Sequence, residues 1–474
     1  MEITPIGWIL IPLGILLLSR PKWLYILAVF FTPFTATAII NRGSGDTAAG
    51  IQPYLYFGAM LFLRKALELT YSLRFRLLRS IRRPLLIYLS FVCVCAISVV
   101  MPFIIDGRAE VLSNGTLDAS LLPIRFSAKN VAALISLIYG FLFTVLVVRE
   151  SVAQTQFMRT LRIYVASGIF VSFWGFLQFG LGLINVPYPY QIFNNNASPY
   201  AQLGGAMSLL NVVRISSVAM EPSAFALIMV GMFAIQLIAI QGKRYIFGRR
   251  IDRLTLGVFF VALMLTGSGT GYIGFLSTSV MGYIVFMRRQ KKVIRRSLLL
   301  LMGAGLFVGL LFALPPTRLY MQEAIFSKAD SVSALERGTI ILADLKYFLN
   351  YPVLGIGWGT APAHDLTLGI LANSGLLGLT SFFSFIGYLI SKLFRLGKTS
   401  ARGSSLMLVP LVATIISYAV DGMPAGGTFA VLVGLAIAEM SLLSASDSPH
   451  SIDRTRKWRL LQSTLEGDNP APTL

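Results

Sequence analysis

Runs of about 20 apolar residues recur along the whole chain, and no other feature limits the fold so strongly, because that is the helix length needed to cross a bilayer's hydrocarbon core. About thirteen such runs can be read. They start near Gly7, Trp23, Tyr54, Leu85, Ala132, Ile163, Ser223, Leu254, Gly271, Ser297, Leu366, Leu406 and Ala430. Several are short or carry Pro and Gly, so about twelve to fourteen spans are expected. Composition points the same way. Of 474 residues, 55% are apolar, 12% aromatic and only 13% charged, with a mean hydropathy of +0.74, whereas soluble chains carry about a quarter charged residues. The water-soluble classes are excluded. The chain reads as an all-α polytopic membrane protein, one helical bundle in place of the roughly three soluble domains its length would suggest.

The 40 Lys and Arg outnumber the 20 Asp and Glu, for a net charge of +20. In a soluble protein this would suggest a nucleic-acid partner, but here the loops account for it. Alternate loops collect Arg20 and Lys22, the stretch Arg64–Arg83, Arg149–Arg162, Lys243–Arg253, Arg288–Arg296, Lys392–Arg402 and Arg454–Arg459, which hold 31 of the 40 basic residues. This is the positive-inside pattern. It predicts loops 65–84, 243–253 and 288–296 and the C-terminus in the cytoplasm, with loops 184–221 and 315–365 and the N-terminus outside. The basic clusters sit where helices end and lack interleaved aromatic platforms, so no nucleic acid is expected as a partner. The first span is expected to stay, since Glu2 and no Lys or Arg precedes it. Cys93 and Cys95, two apart within one span, read as small apolar residues and not as a disulfide or a metal pair.

The informative segments are the two long loops on the other face, since loops beyond about 12–15 residues in a compact fold are usually functional or disordered, and their aromatic content argues against disorder. The first holds Pro187-Tyr188-Pro189-Tyr190 and Asn194–Asn196 and ends in Arg214 and Glu221-Pro222-Ser223. The second begins at Pro315-Pro316, contains Arg318 and Arg337, and ends in a glycine run (Gly355, Gly357, Gly359) before His364-Asp365. Its middle reads as a helix. Ser333-Ala-Leu-Glu336 has capping-box spacing, Ile340, Ile341, Leu345, Phe348 and Leu349 follow at helical intervals, and Asn350-Tyr-Pro352 stops the run. That puts Arg337 in the first turn, where unpaired N–H groups and the helix dipole favour an anion such as phosphate. The alternative is an interfacial helix whose Arg337 pairs with Glu336, Asp344 or lipid headgroups. His364 can accept a proton near neutral pH, and Asp365 beside it could orient it. His450, the other histidine, falls in a polar tail. No grouping of His and Cys suggests a metal. Gly269-Thr-Gly271-Tyr-Ile-Gly274 matches GxGxxG but has no βαβ unit around it, and the phosphate-loop motif of ATPases is absent. No cofactor is expected, and energy must come from the substrate or an ion gradient.

Taken in order, Arg214, Glu221-Pro222-Ser223-Ala-Phe-Ala, Ser268-Gly-Thr-Gly, Arg337, Tyr351-Pro352-Val-Leu-Gly355-Ile-Gly357-Trp-Gly359, His364 and Asn373-Ser-Gly375-Leu-Leu-Gly378-Leu resemble the O-antigen ligase/polymerase superfamily over roughly 214–379. The resemblance implies a glycosyltransferase of the bacterial inner membrane, a class C helical bundle that uses glycans on undecaprenyl diphosphate at the periplasmic face. Those glycans and membrane lipids would be its partners, with a chain-length regulator and a flippase as protein partners. By position, Arg214 and Arg337 match the arginines that hold the lipid diphosphate, with Arg318 a weaker third. His364 matches the histidine that activates the acceptor hydroxyl, with Asp365 and Glu221 as further catalytic candidates. Asp365 departs from the Asn often seen there in ligases. Tyr188, Tyr190, Asn195 and Trp358 are the candidates for glycan contact. Glu221-Pro-Ser looks like the polymerase branch. The implied organisation is N-terminal spans over 1–183, a catalytic half over 184–396, C-terminal spans over 397–445 and a cytoplasmic tail over 446–474. The runner-up is a ligase that moves finished glycan onto lipid A–core. A lipid-glycan flippase or transporter comes third. It should carry ionisable residues inside spans, and Asp421 and Glu439 are the main candidates.

Overall fold

The computed structural model describes residues 1–43, 49–71, 79–112, 121–197, 208–209, 212–287, 309, 332–399, 405–423 and 426–446. Arg318, His450 and the run starting near Ser297 lie outside them. Every other expected run falls on a helix. In chain order these are α1 (Pro5–Leu16), α2 (Pro21–Phe30), α3 (Pro53–Tyr71), α4 (Arg79–Ser98), the short α5 (Met101–Ile105), α6 (Ala128–Arg149), α7 (Gln154–Leu183) and the short α8 (Tyr190–Phe193). There follow α9 (Pro222–Gln241), α10 (Arg249–Leu265), α11 (Gly269–Met287), α12 (Val332–Asn350), α13 (Leu366–Thr399), α14 (Leu408–Tyr418) and α15 (Gly427–Ser446). Among the described residues, 6 helical stretches are long and apolar enough to cross a membrane. Some, such as α6, keep an apolar face turned outward, with Ile135 61% exposed, which suits lipid and not water. The protein is a multi-pass, all-α membrane protein. Among the described residues, strands appear only as short antiparallel ribbons outside the helices, as where β1 (Glu2–Ile3) and β3 (Ala49–Ile51) flank β2 (Ile40–Arg42), and where β4 (Glu110–Leu112) pairs with β5 (Leu121–Pro123).

A helix that is apolar on every side belongs inside a bundle, and α9 fulfils this. Phe225, Met229, Met232, Phe233 and Ile235 are all fully buried, and α10, α11 and α14 pack around it. Pro222 opens the helix at its first position, where its missing N–H costs nothing. A second group is formed by α4, α6, α13 and α15. Between α12 and α13, the loop that carries the glycine run lies against a break in α13. Gly375 interrupts that helix at φ 64°, so the Leu376 N–H reaches the Pro352 carbonyl at 2.8 Å and the Ile356 N–H reaches the Ala372 carbonyl at 2.7 Å. A Cβ on Gly355 would come within 2.3 Å of the Ala372 oxygen, and one on Gly375 within 2.2 Å of the Val353 oxygen. Both positions need glycine for that approach as well as for their backbone angles.

One local expectation is corrected. Val332 and Ser333 are already helical, so Arg337 stands in the second turn of α12 and not the first. A capping-box spacing marks a start only when its Ser lies outside the helix. The seat of unpaired N–H groups expected at Arg337 is therefore absent there, and its setting must come from tertiary contacts.

Candidate active site

On α12, residues 337, 340, 344 and 347 recur at intervals of about three and four, so they share one face. Arg337 heads that stripe. Its Nη2 donates to Asp421 Oδ1 at 3.2 Å and its Nη1 to the Val420 carbonyl at 3.2 Å. The Asp421 side chain is 3% exposed and that of Arg337 27%. Asp344, one partner that the interfacial-helix alternative supplied, is not bonded to it; Glu336 lies outside the residues whose side chains are described. The turn after α14 that holds Asp421 also touches the loop of the histidine, since a Cβ on Gly422 would lie 2.9 Å from the Ala363 oxygen. Arg337, Asp421, Gly422, Ala363 and the half-buried His364 thus form one contiguous cluster.

Asp365 has a bond within its own helix start. Its Oδ1 accepts the Leu368 N–H at 2.7 Å, which makes it the N-cap of α13. The loop before it is pinned by two buried asparagines. Asn373 Oδ1 accepts the N–H groups of Thr360 and Ala361, both at 3.1 Å, and its amide donates to the carbonyls of Ala361 and Gly369. Asn130 on α6 donates to the Trp358 carbonyl at 2.9 Å and to Thr360 Oγ1 at 2.8 Å. Sequence reasoning gave Asn373 no role and missed Asn130. For Asn373 the available signal was a carboxamide inside an otherwise apolar span; Asn130, beside Lys129 in the first turn of α6, gave none. Asp344, on the Arg337 stripe, is fully buried, and burial together with the facing Asp365 carboxylate pushes its pKa up to about 8.

The segment that carries Arg214 and Glu221 crosses the same end of the bundle. Arg214 Nε donates to the Thr266 carbonyl at 3.1 Å, in the turn between α10 and α11. Since Gly274 of α11 packs on Ser417 of α14, that turn and the end of α14 lie on one side. Gln178 of α7 steadies the segment, its Oε1 accepting the N–H groups of Ser216 and Ser217 at 2.9 and 2.8 Å. Glu221 occupies the extended N-cap position of α9, and its Oε1 accepts the Ser223 hydroxyl at 2.6 Å.

The four glycan candidates separate. Trp358 is built into the core, with Nε1 donating to the Ala133 carbonyl at 3.3 Å and its ring set edge-on to Phe91. Asn195 is tied into the chain, its Oδ1 accepting the Ala38 N–H at 2.8 Å. Tyr188 and Tyr190 pack edge to face at 4.7 Å, Tyr188 buried and Tyr190 half-buried, and the Trp174 ring lies 5.8 Å from that of Tyr188.

Arg337, the glycine-rich loop and His364 all lie within a stretch that matches a known family model. Residues 254–383 match the family model described as O-antigen ligase. The match takes in α10 to the broken α13, and Arg214 and Glu221 lie just before it. It supports the O-antigen ligase/polymerase superfamily and a glycosyltransferase-like enzyme, without separating ligase from polymerase. No curated protein matches the chain.

Proposed function

We propose that the protein polymerises lipid-linked oligosaccharide repeat units, transferring the growing glycan from undecaprenyl diphosphate to a hydroxyl of the incoming unit at the periplasmic face of the inner membrane. The observation that carries this reading is that a partly exposed arginine, Arg337, is held by the turn of Asp421 and Gly422, which in turn lies against the loop of His364 at Ala363. In the transfer, the acceptor oxygen forms a bond to the anomeric carbon, and the bond from that carbon to the diphosphate oxygen breaks with inversion. Negative charge collects on the leaving diphosphate, where guanidinium donors of Arg337 and Arg214, with Arg318 a third candidate, stabilise it. The acceptor's proton goes to His364. Glu221 sits beside Arg214's segment to bind sugar hydroxyls, with Tyr188 and Tyr190 as the stacking surfaces. The diphosphate ester supplies the driving force, so neither nucleotide nor covalent enzyme nucleophile takes part.

The family description favours a second reading, a ligase that delivers finished glycan to lipid A–core. The donor chemistry is common to both, so the acceptor decides. A deletion strain should still display single repeat units on the final acceptor if the protein polymerises, and should accumulate long polymer on undecaprenyl diphosphate if it ligates. With purified protein, lipid-linked units alone should yield a ladder of longer products. A ladder that requires lipid A–core would replace the polymerase by the ligase. Glu439 and Asp421 give no support to transport, as both are engaged in ion pairs with arginine.

A further inference from the structure

Asp344 is a buried carboxyl that the transfer chemistry leaves unused. It is fully buried, and neither of its oxygens has a hydrogen-bond partner among the described residues. Native proteins rarely leave such atoms orphaned, and each case calls for a reason. Its place on the stripe suggests one. Arg337 at the head of the stripe meets the turn after α14. Tyr347, one turn beyond Asp344, packs with Ile356, Ala361 and Ala372 and accepts the Leu112 N–H at 3.0 Å. Asp344 lies between these two anchors, where α12 rests on the start of α13.

We propose that Asp344 is a positioning residue: its buried carboxyl, set against Asp365, fixes the seat of α12 on the start of α13 and with it the placement of Arg337 relative to His364. The inference rests on the donor and acceptor roles proposed for those two residues. Asp365 accepts a backbone N–H at the start of α13. A fully buried carboxyl with no hydrogen-bond partner is costly to ionise, and more so beside another carboxyl group, so a charge on Asp344 would push the two helices apart. The seat therefore holds while Asp344 keeps its proton. The titratable groups that act on it are Asp365 at the start of α13 and Tyr347 on its own helix, with the Arg337–Asp421 pair two turns away. Asp365 is the charged group that raises it, after burial itself. A leucine would seat α12 at any pH, whereas a carboxyl makes the seat conditional on a proton.

The sign follows from linkage. The folded pKa of about 8 lies above the usual aspartate value of about 3.9, so the contribution of Asp344 is complete below about pH 4 and is lost as pH rises through about 8. Asp344→Asn copies the shape of the neutral acid without a titration. The test compares the full-length purified protein with this variant for transfer and for melting temperature between about pH 5 and 9. Wild-type kcat should fall about tenfold per pH unit above 8, with little change in KM. In the Asn variant, kcat at pH 7 should stay close to wild type and the alkaline fall should vanish. Its advantage in melting temperature should grow from pH 5 to 8. Asp344→Leu, which fills the seam without polar atoms, should show the same pH-independence and carries the test if the Asn variant fails to fold. An alkaline limb unchanged in the variant, loss of activity at pH 7 in a well-folded Asn variant, or a melting difference flat in pH would each overturn the proposal. If the wild type extends no lipid-linked unit, the polymerase reading falls and the melting comparison still decides Asp344.

Discussion

The two ends of α14 are each held by an arginine–carboxylate pair, and the pairs are built differently. At the start, Glu439 from α15 accepts the N–H groups of Leu406 and Met407 at 2.8 and 2.9 Å, the Ser405 hydroxyl, and Arg244 at 3.0 Å. At the far end, Arg337 gives one bond to Asp421 and one to the Val420 carbonyl. Both follow the helix dipole, with a carboxylate at the N-terminus and a cation at the C-terminus. Glu439 is bonded at both oxygens; both carboxylates are buried, Glu439 at 1% and Asp421 at 3% exposed, and the arginine is the more open at the far end, Arg337 at 27% against Arg244 at 19%. A saturated pair can only hold the fold. An arginine with an open side can exchange part of its bonding for a ligand's oxygens, and its fork geometry suits a diphosphate.

The largest expected effect lies at the saturated end. Glu439→Ala leaves two backbone N–H groups and Arg244 without their acceptor, and breaking a buried pair by removing one partner costs about 3–5 kcal/mol. Melting of the purified protein should show this as a steep loss of folded material, with activity per folded molecule retained. A variant that folds normally but cannot transfer would erase the contrast between the ends. Arg337→Ala should do the reverse, with normal membrane abundance and melting and transfer reduced about 10²–10³-fold, the range for removing one donor from a developing oxyanion. Lys should rescue poorly for lack of the planar fork. Full transfer in Arg337→Ala would remove the proposed donor site from α12. Asp421→Asn sharpens the comparison further, since it keeps Arg337 and weakens only its resting partner. A partly exposed pair contributes about 1 kcal/mol or less, so a shift in donor KM of at most about fivefold is expected. A collapse in melting temperature would instead class this end with the other.

Helix placement was legible in the sequence because lipid demands apolar length, and each expected run that the structure describes is helical. The glycine run and its break partner were legible as a motif but not as geometry. Nothing in the sequence says that Gly355 lies on Ala372 or that Gly375 lies on Val353. Contacts between distant segments were the least readable. The sequence offered Arg337 two acidic partners on its own helix, and the structure gives it Asp421, 84 positions away. Asp421 and Glu439 looked alike as carboxylates near span ends, and only their partners separate them. The capping box misplaced the start of α12 because Val332 and Ser333 are compatible with helix as well as with a cap.

The smallest effect tests Asp365, whose two readings differ by one atom's duty. As an N-cap its carboxylate satisfies the Leu368 N–H, a task Ser or Asn performs nearly as well and Ala cannot, at a cost of about 1 kcal/mol. As the group that orients His364, it would need its charge, and neither Ser nor Asn would serve. Asp365→Ser should therefore keep both melting temperature and transfer close to wild type. Asp365→Ala should lower the melting temperature by a few degrees, with a change in rate no larger than the fraction unfolded explains. A well-folded Asp365→Ser that loses transfer as completely as His364→Ala would reverse the assignment, and would move the carboxylate from the frame of α13 into the proton path of the acceptor.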